Sequence, residues 1–137
     1  MSGTTKINID LTSTITQEKD SETFHKNIDG EIKKDDKTIR VSYLEDGTIP
    51  VKMLLKDNEL ILRRGVDHQN YSLMRFVPGE KQACRYVVSD RQMDLTSVTN
   101  LLEYEPQNDG SEKLHIEYDL FSGLYLIGNY TVTLIFT

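Results

Sequence analysis

Along most of this chain apolar residues recur at every second position, and that period admits few architectures. Ile7, Ile9 and Leu11 alternate with polar neighbours, and Ile39, Val41 and Tyr43 repeat the pattern. So do Ile49, Val51, Met53 and Leu55, and later Leu114, Ile116, Tyr118 and Leu120. Successive side chains of a strand point to opposite faces, so each such segment has one dry face and one wet face. Nowhere does the stripe of an amphipathic helix persist over several turns. Turn-forming residues divide the chain at intervals of about ten residues, the spacing of an all-β barrel or sandwich.

Strands are expected at about 6–17, 22–33, 38–44, 48–56, 59–64, 70–77, 82–89, 92–105, 112–121 and 124–136. Antiparallel strands joined in order leave two exposed edges unless the sheet closes on itself. The expected fold is therefore all-β: a single antiparallel up-and-down β-barrel of about 8–10 strands, one domain over residues 1–137.

Loop parity makes this reading testable, because residues paired across a hairpin share a face. Val41 and Val51 both lie on odd apolar positions, which demands an odd loop. Glu45-Asp46-Gly47 supplies one, with glycine where a type I turn and G1 bulge need positive φ. Met53 and Leu60 change parity, which demands an even loop, and Asp57-Asn58 is a good two-residue turn. Glu18 to Ser21 forms the first turn, and an odd loop of Ser122-Gly123-Leu124 joins the last two strands. Leu95 and Leu102 differ in parity within one strand, which places a β-bulge near Ser97–Asn100. Carried along the chain, parity sends Arg64 to the apolar face and Arg63 to the wet one. The strands around Pro78-Gly79 fit either parity, so Arg75 and Arg85 receive no face.

A chain of 137 residues buries about two-thirds of the surface that its unfolded form exposes. Its hydrophobic share of 37% is low for a globular protein and suits a sheet wetted on one side. A formal charge of −6 argues against nucleic acid and anionic membranes as partners. The single cysteine, Cys84, forbids an intrachain disulfide and fits a reducing compartment. The N-terminus has no charged-then-apolar leader and no apolar run is long enough to span a bilayer, so the expected location is cytoplasmic.

The groups best suited to chemistry are arginines among apolar residues: Arg63 and Arg64 after Glu-Leu-Ile-Leu, Arg75 in Leu-Met-Arg-Phe, and Arg85 in Cys-Arg-Tyr. A guanidinium inside a barrel cannot shed its charge, so it needs a partner. That partner is either a ligand carboxylate or phosphate held by the planar fork, or an internal acid. Tyr43, Tyr86, Tyr118 and Tyr130 each bring an apolar body and one hydroxyl, which serves a ligand cavity or simply fills the core. His25, His68 and His115 stand apart without metal-ligand spacing, and no glycine-rich phosphate loop or nucleophile elbow is present. No cofactor is expected, and nothing in the chain carries a catalytic signature.

The segment Glu59-Leu-Ile-Leu-Arg-Arg-Gly65, followed by Met74-Arg-Phe-Val-Pro-Gly79 and Tyr86, resembles the YwiB-like proteins, a family of uncharacterised bacterial β-barrels. The resemblance implies a small cytosolic calycin-like, lipocalin-like barrel. It aligns Arg64 (or Arg63), Gly65, Arg75, Phe76, Gly79 and Tyr86 with the family's pattern and brings no established activity. True lipocalins fit less well, since the first strand lacks their Gly-x-Trp motif. So do fatty-acid-binding proteins, whose helical lid has no counterpart here. Two functions are expected. In one, the barrel binds a small, partly apolar anion through Arg64, Arg75 and Tyr86, with Arg63, Arg85 and Tyr118 as further candidates. In the other, a filled barrel serves as a structural or regulatory interaction module.

Overall fold

The computed structural model describes residues 3–137. Met1 and Ser2, part of the N-terminus read above for a leader, lie outside them. Ten strands form: β1 (Thr4–Gln17), β2 (Asp20–Lys34), β3 (Thr38–Glu45), β4 (Ile49–Lys56), β5 (Glu59–Gly65), β6 (Tyr71–Phe76), β7 (Lys81–Val88), β8 (Arg91–Pro106), β9 (Glu112–Ser122) and β10 (Tyr125–Phe136). Each pairs antiparallel with its sequence neighbours, and β1 closes the barrel against β10 through pairs such as Ile9↔Phe136 and Leu11↔Leu134. The architecture is the all-β, up-and-down barrel that the alternation demands. Among the described residues no helix is long and apolar enough to cross a membrane.

The registers explain the alternation. Ile32 lies opposite Val41, Val41 opposite Met53, Met53 opposite Leu62, and Leu62 opposite Met74, so one face runs unbroken from β2 to β6. That face is the interior. Ile9, Leu60, Phe76 and Leu134 are fully buried there, with Leu114, Ile116, Val51 and Phe136 beside them. Burying a side chain of this size contributes about 1.5–3 kcal/mol, so the cluster dominates stability.

Turns show where local chemistry overrode the reading by parity. Asp57-Asn58 forms the expected two-residue turn, with φ of 49° and 59°. The β3–β4 loop has three residues, but they are Asp46, Gly47 and Thr48, because Glu45 already pairs with Ile49. Asp46 and Gly47 both have positive φ and Thr48 N–H bonds Glu45 O at 3.1 Å, which is a primed turn in place of type I with a G1 bulge. A primed turn matches the right-handed twist of the strands it joins, and aspartate tolerates the left-handed region.

The first turn is only Glu18-Lys19, since Asp20 and Ser21 already pair with β1. The last is Gly123-Leu124, an even loop, because Ser122 pairs with Tyr125. The extra residue appears later, as a bulge between Leu126 and Gly128. Parity fixed the total without fixing where the odd residue sits. The bulge within β8 lies between Thr99 and Leu101, inside the expected window.

Two stretches of wall lack partners. β6 pairs with β7 only at Tyr71–Leu73, and the following Val77–Glu80 segment bonds instead to Thr99 of β8. β2 pairs with β3 only from Gly30 onward, so the backbone ladder of Asp20–Asp29 is to β1 alone.

Candidate functional site

The five turns β1–β2, β3–β4, β5–β6, β7–β8 and β9–β10 lie at one end of the barrel, and the interior differs between the ends. Toward the other end the inner face is sealed by the core. Toward the turn end its side chains are uncovered: Arg64 is 42% exposed, Lys26 38% and Phe24 46%. Each shares the inner face: Lys26 lies opposite Leu11 and Arg64 opposite Val51, both of the core cluster, and Phe24 lies opposite Ser13 in the same β1 row as Ile9 and Leu11. This end is a mouth.

Arg64 stands on the inner face, where parity sends it. Its Nε donates to Glu45 Oε2 on β3. Lys26 bridges the same carboxylate at 3.4 Å and Asp46 at 3.5 Å. Among the described residues the two Nη groups of Arg64 have no hydrogen-bond partner. Beside Arg64 lies a depression of about 170 Å³ lined also by Gly65, Asn70, Ser72, Tyr86 and Val88. Ser72 is opposite both Arg64 and Tyr86, which sets all three in one row across β5, β6 and β7. Gly65 closes this strand at φ 144°, where a Cβ would stand 2.5 Å from the backbone oxygen of Asn70, so no side chain fits.

Deeper in the interior, on β9 and β10, two tyrosines stack. Tyr118 lies parallel to Tyr130 with ring centroids 4.9 Å apart, and Phe76 tilts against Tyr118 at 4.7 Å. Burial, then Tyr130 and Cys84, push the Tyr118 hydroxyl pKa well up. Tyr130 is raised by burial and then by Tyr86. Burial pushes Tyr43, near Glu45 and Arg64, up to about 12. Cys84 is raised by burial, partly offset by Ser97, so it stays a neutral thiol and a poor nucleophile. Ser97 and Thr99 are fully buried, and their hydroxyls find no geometric partner among the described residues. The Cys84 thiol beside Ser97 is too weak a partner to satisfy that hydroxyl. Parity marked both positions only as part of a bulge, so their polar character inside the barrel went unread.

The structure brings Arg64 and Tyr86 together at the mouth and places Tyr118 below them. It does not bring Arg63, Arg75 or Arg85 there. All three lie on the outer face: Arg63 over the ring of Tyr71 at 5.3 Å, Arg75 bonded to Glu59 at 2.7 Å, and Arg85 opposite Asp94. The grouping of Arg64 and Arg75 at one site is corrected accordingly. Arg75 stands between the inward-facing Met74 and Phe76, so strand alternation turns it outward. His115 sits outside, bonded to Glu117 and Thr133 at 2.8 Å, and His25 outside against Asp10 at 2.6 Å. Among the described residues no three His, Cys, Asp or Glu are arranged to hold a metal.

Comparison with known proteins agrees with this architecture. The crystal structure of ywiB protein from Bacillus subtilis superposes with a TM-score of 0.81 over 97% of this chain and 91% of that one, at 18% sequence identity. At that identity the likeness speaks for the fold alone. No curated protein sequence matches. A family profile described as a domain of unknown function, DUF1934, matches residues 9–134, nearly the whole barrel. The chain belongs to the DUF1934 family.

Proposed function

We propose that this protein is a binding module whose barrel mouth holds a small, partly apolar, anionic molecule. The observation that carries the reading is the asymmetry of the inner wall, sealed at one end and uncovered at the other, with Arg64, Ser72 and Tyr86 in one row. The Arg64 Nη groups supply a forked donor for a carboxylate or phosphate. Glu45 fixes the guanidinium through Nε, and this pairing also serves the fold. Tyr86, which lines the same depression, offers an apolar ring face and a hydroxyl beside it. The depression admits a compact molecule of few heavy atoms. The proposed setting is a reducing, cytoplasmic one, consistent with a single buried cysteine.

Native mass spectrometry of protein purified from its host tests the reading. An adduct of one small molecule, absent from the Arg64→Met variant, is expected. Bare polypeptide in both samples sinks the proposal.

One observation favours an interaction module as a second reading. The exposed large apolar side chains cluster at the mouth, among them Val66, Val88, Met93, Leu124 and Tyr125. Such a rim suits a protein surface as well as a ligand entry. Leu124→Ser with Tyr125→Ser separates the two: loss of a partner in pull-down with the adduct retained favours the rim.

A further inference from the structure

The arginines that miss the barrel interior do not scatter. On the outer face, cross-strand rows are set by the registers. One runs Lys33, Arg40, Leu54, Ile61, Arg75, and the next runs Glu31, Ser42, Lys52, Arg63, Leu73, Arg85. Together they hold six cations and one acid in a chain where acids outnumber bases 22 to 16. Some are neutralised from outside the rows, Arg40 by Asp35 at 3.4 Å and Arg75 by Glu59 at 2.7 Å. Among the described residues Lys33 and Lys52 have no ion-pair partner, and Arg63 has only the Tyr71 ring.

Two of these contacts are unfavourable. Lys33 lies directly opposite Arg40, and Lys52 directly opposite Arg63. Like charges at such positions destabilise a sheet. The face also carries apolar groups where a wet face is ordinarily polar: Leu54, Ile61 and Leu73 are half-buried. They form the floor of a groove of about 410 Å³ whose sides carry the four cations Lys33, Arg40, Lys52 and Arg63 against one acid, Glu31. A volume of several hundred cubic ångströms, an apolar floor and a few convergent polar groups describe a small-molecule site.

We propose that this outer groove is a second binding site, for an amphipathic anion: an oxyanion headgroup between Lys52 and Arg63, and an apolar body along Leu54, Ile61 and Leu73. The planar Arg63 fork takes a carboxylate or phosphate edge-on, and Lys52 adds a point charge. The uncompensated repulsion between them is relieved when the anion binds. This site is independent of the mouth, which is smaller and faces the other side of the wall.

Decanoate, a soluble carboxylate with an apolar chain, is the probe, followed by amide chemical shifts in the full-length protein. Saturable shifts centred on Leu54, Ile61, Arg63 and Leu73 are expected. Lys52→Glu places an acid opposite Arg63, so it should raise the Tm while weakening decanoate at least tenfold. Lys113→Glu, a matched charge change on β9, should leave the affinity within twofold. A residue kept only for structure does not give these opposite signs. Absence of saturable shifts overturns the proposal, as do shifts confined to Arg64 and Tyr86 or Lys52→Glu binding at wild-type strength. Co-sedimentation with phosphatidylglycerol vesicles without decanoate binding would identify a membrane surface in place of a free ligand, and also overturns it.

Discussion

Gly30 of β2 and Ile9 of β1 are packed so closely that no further carbon fits between them. A Cβ on Gly30 would stand 2.7 Å from Ile9 Cδ1 and 2.7 Å from the backbone oxygen of Ser42. Ile9 is fully buried, and Ser42 O belongs to the neighbouring strand, so neither neighbour yields cheaply. Gly30 is also where β2 stops pairing with β3. Gly30→Ala should therefore destabilise the fold by about 1–3 kcal/mol through overpacking. Urea unfolding measures it, and a midpoint equal to wild type would show that β2 and β3 can separate freely here.

Arg64→Met should abolish the mouth's anion binding with little effect on stability. The Arg64–Glu45 pair is partly exposed, with side chains 42% and 22% accessible, so its loss costs no more than about 1 kcal/mol. Methionine packs along the same wall. A collapse of stability in thermal melts would assign Arg64 to the fold alone.

Phe76→Ala should be among the most damaging single changes. Phe76 is fully buried and its ring meets Tyr118 at 4.7 Å. Truncation of such a residue costs about 3–5 kcal/mol. Calorimetry gives the loss, and near-ultraviolet circular dichroism should weaken as the Tyr118–Tyr130 stack loses its support.

Alkaline titration should resolve the tyrosines into classes. Tyr43 is raised from 10.0 to about 12 by burial, reinforced by Glu45, and Tyr118 is raised further. The folded state therefore holds these protons more tightly than the unfolded state. Their contribution to stability is complete below pH 10.0, falls through about 12 and is then lost. Absorbance at 295 nm should show a late, unfolding-coupled step that shrinks in Tyr43→Phe. A single transition near pH 10 for all seven tyrosines would contradict the burial of this wall.

Much of the fold was legible because a strand's period and its loop parity are local quantities. Arg64 and Arg63 were assigned opposite faces from Met53 and Leu60 through the two-residue Asp57-Asn58 turn, and the structure places them so. Arg75 and Arg85 were beyond reach, because Val77–Glu80 leaves the β6–β7 ladder and bonds to Thr99 instead. That contact joins residues distant in sequence and leaves no trace in periodicity. The turn at Ser122-Gly123 shows the same limit at smaller scale. Parity counts an extra residue but is blind to whether it sits in the turn or, as here, in a bulge at Ile127.

Residue order alone specified an all-β barrel of about 8–10 strands and the inward-facing side chains of most of them. Those follow from alternation, which each strand carries within itself. Tertiary contacts settled the strand count at ten, left one end open, and brought Arg64 to Glu45 there. These depend on which strands are neighbours and how far their pairing extends, and that is set by closure of the whole sheet.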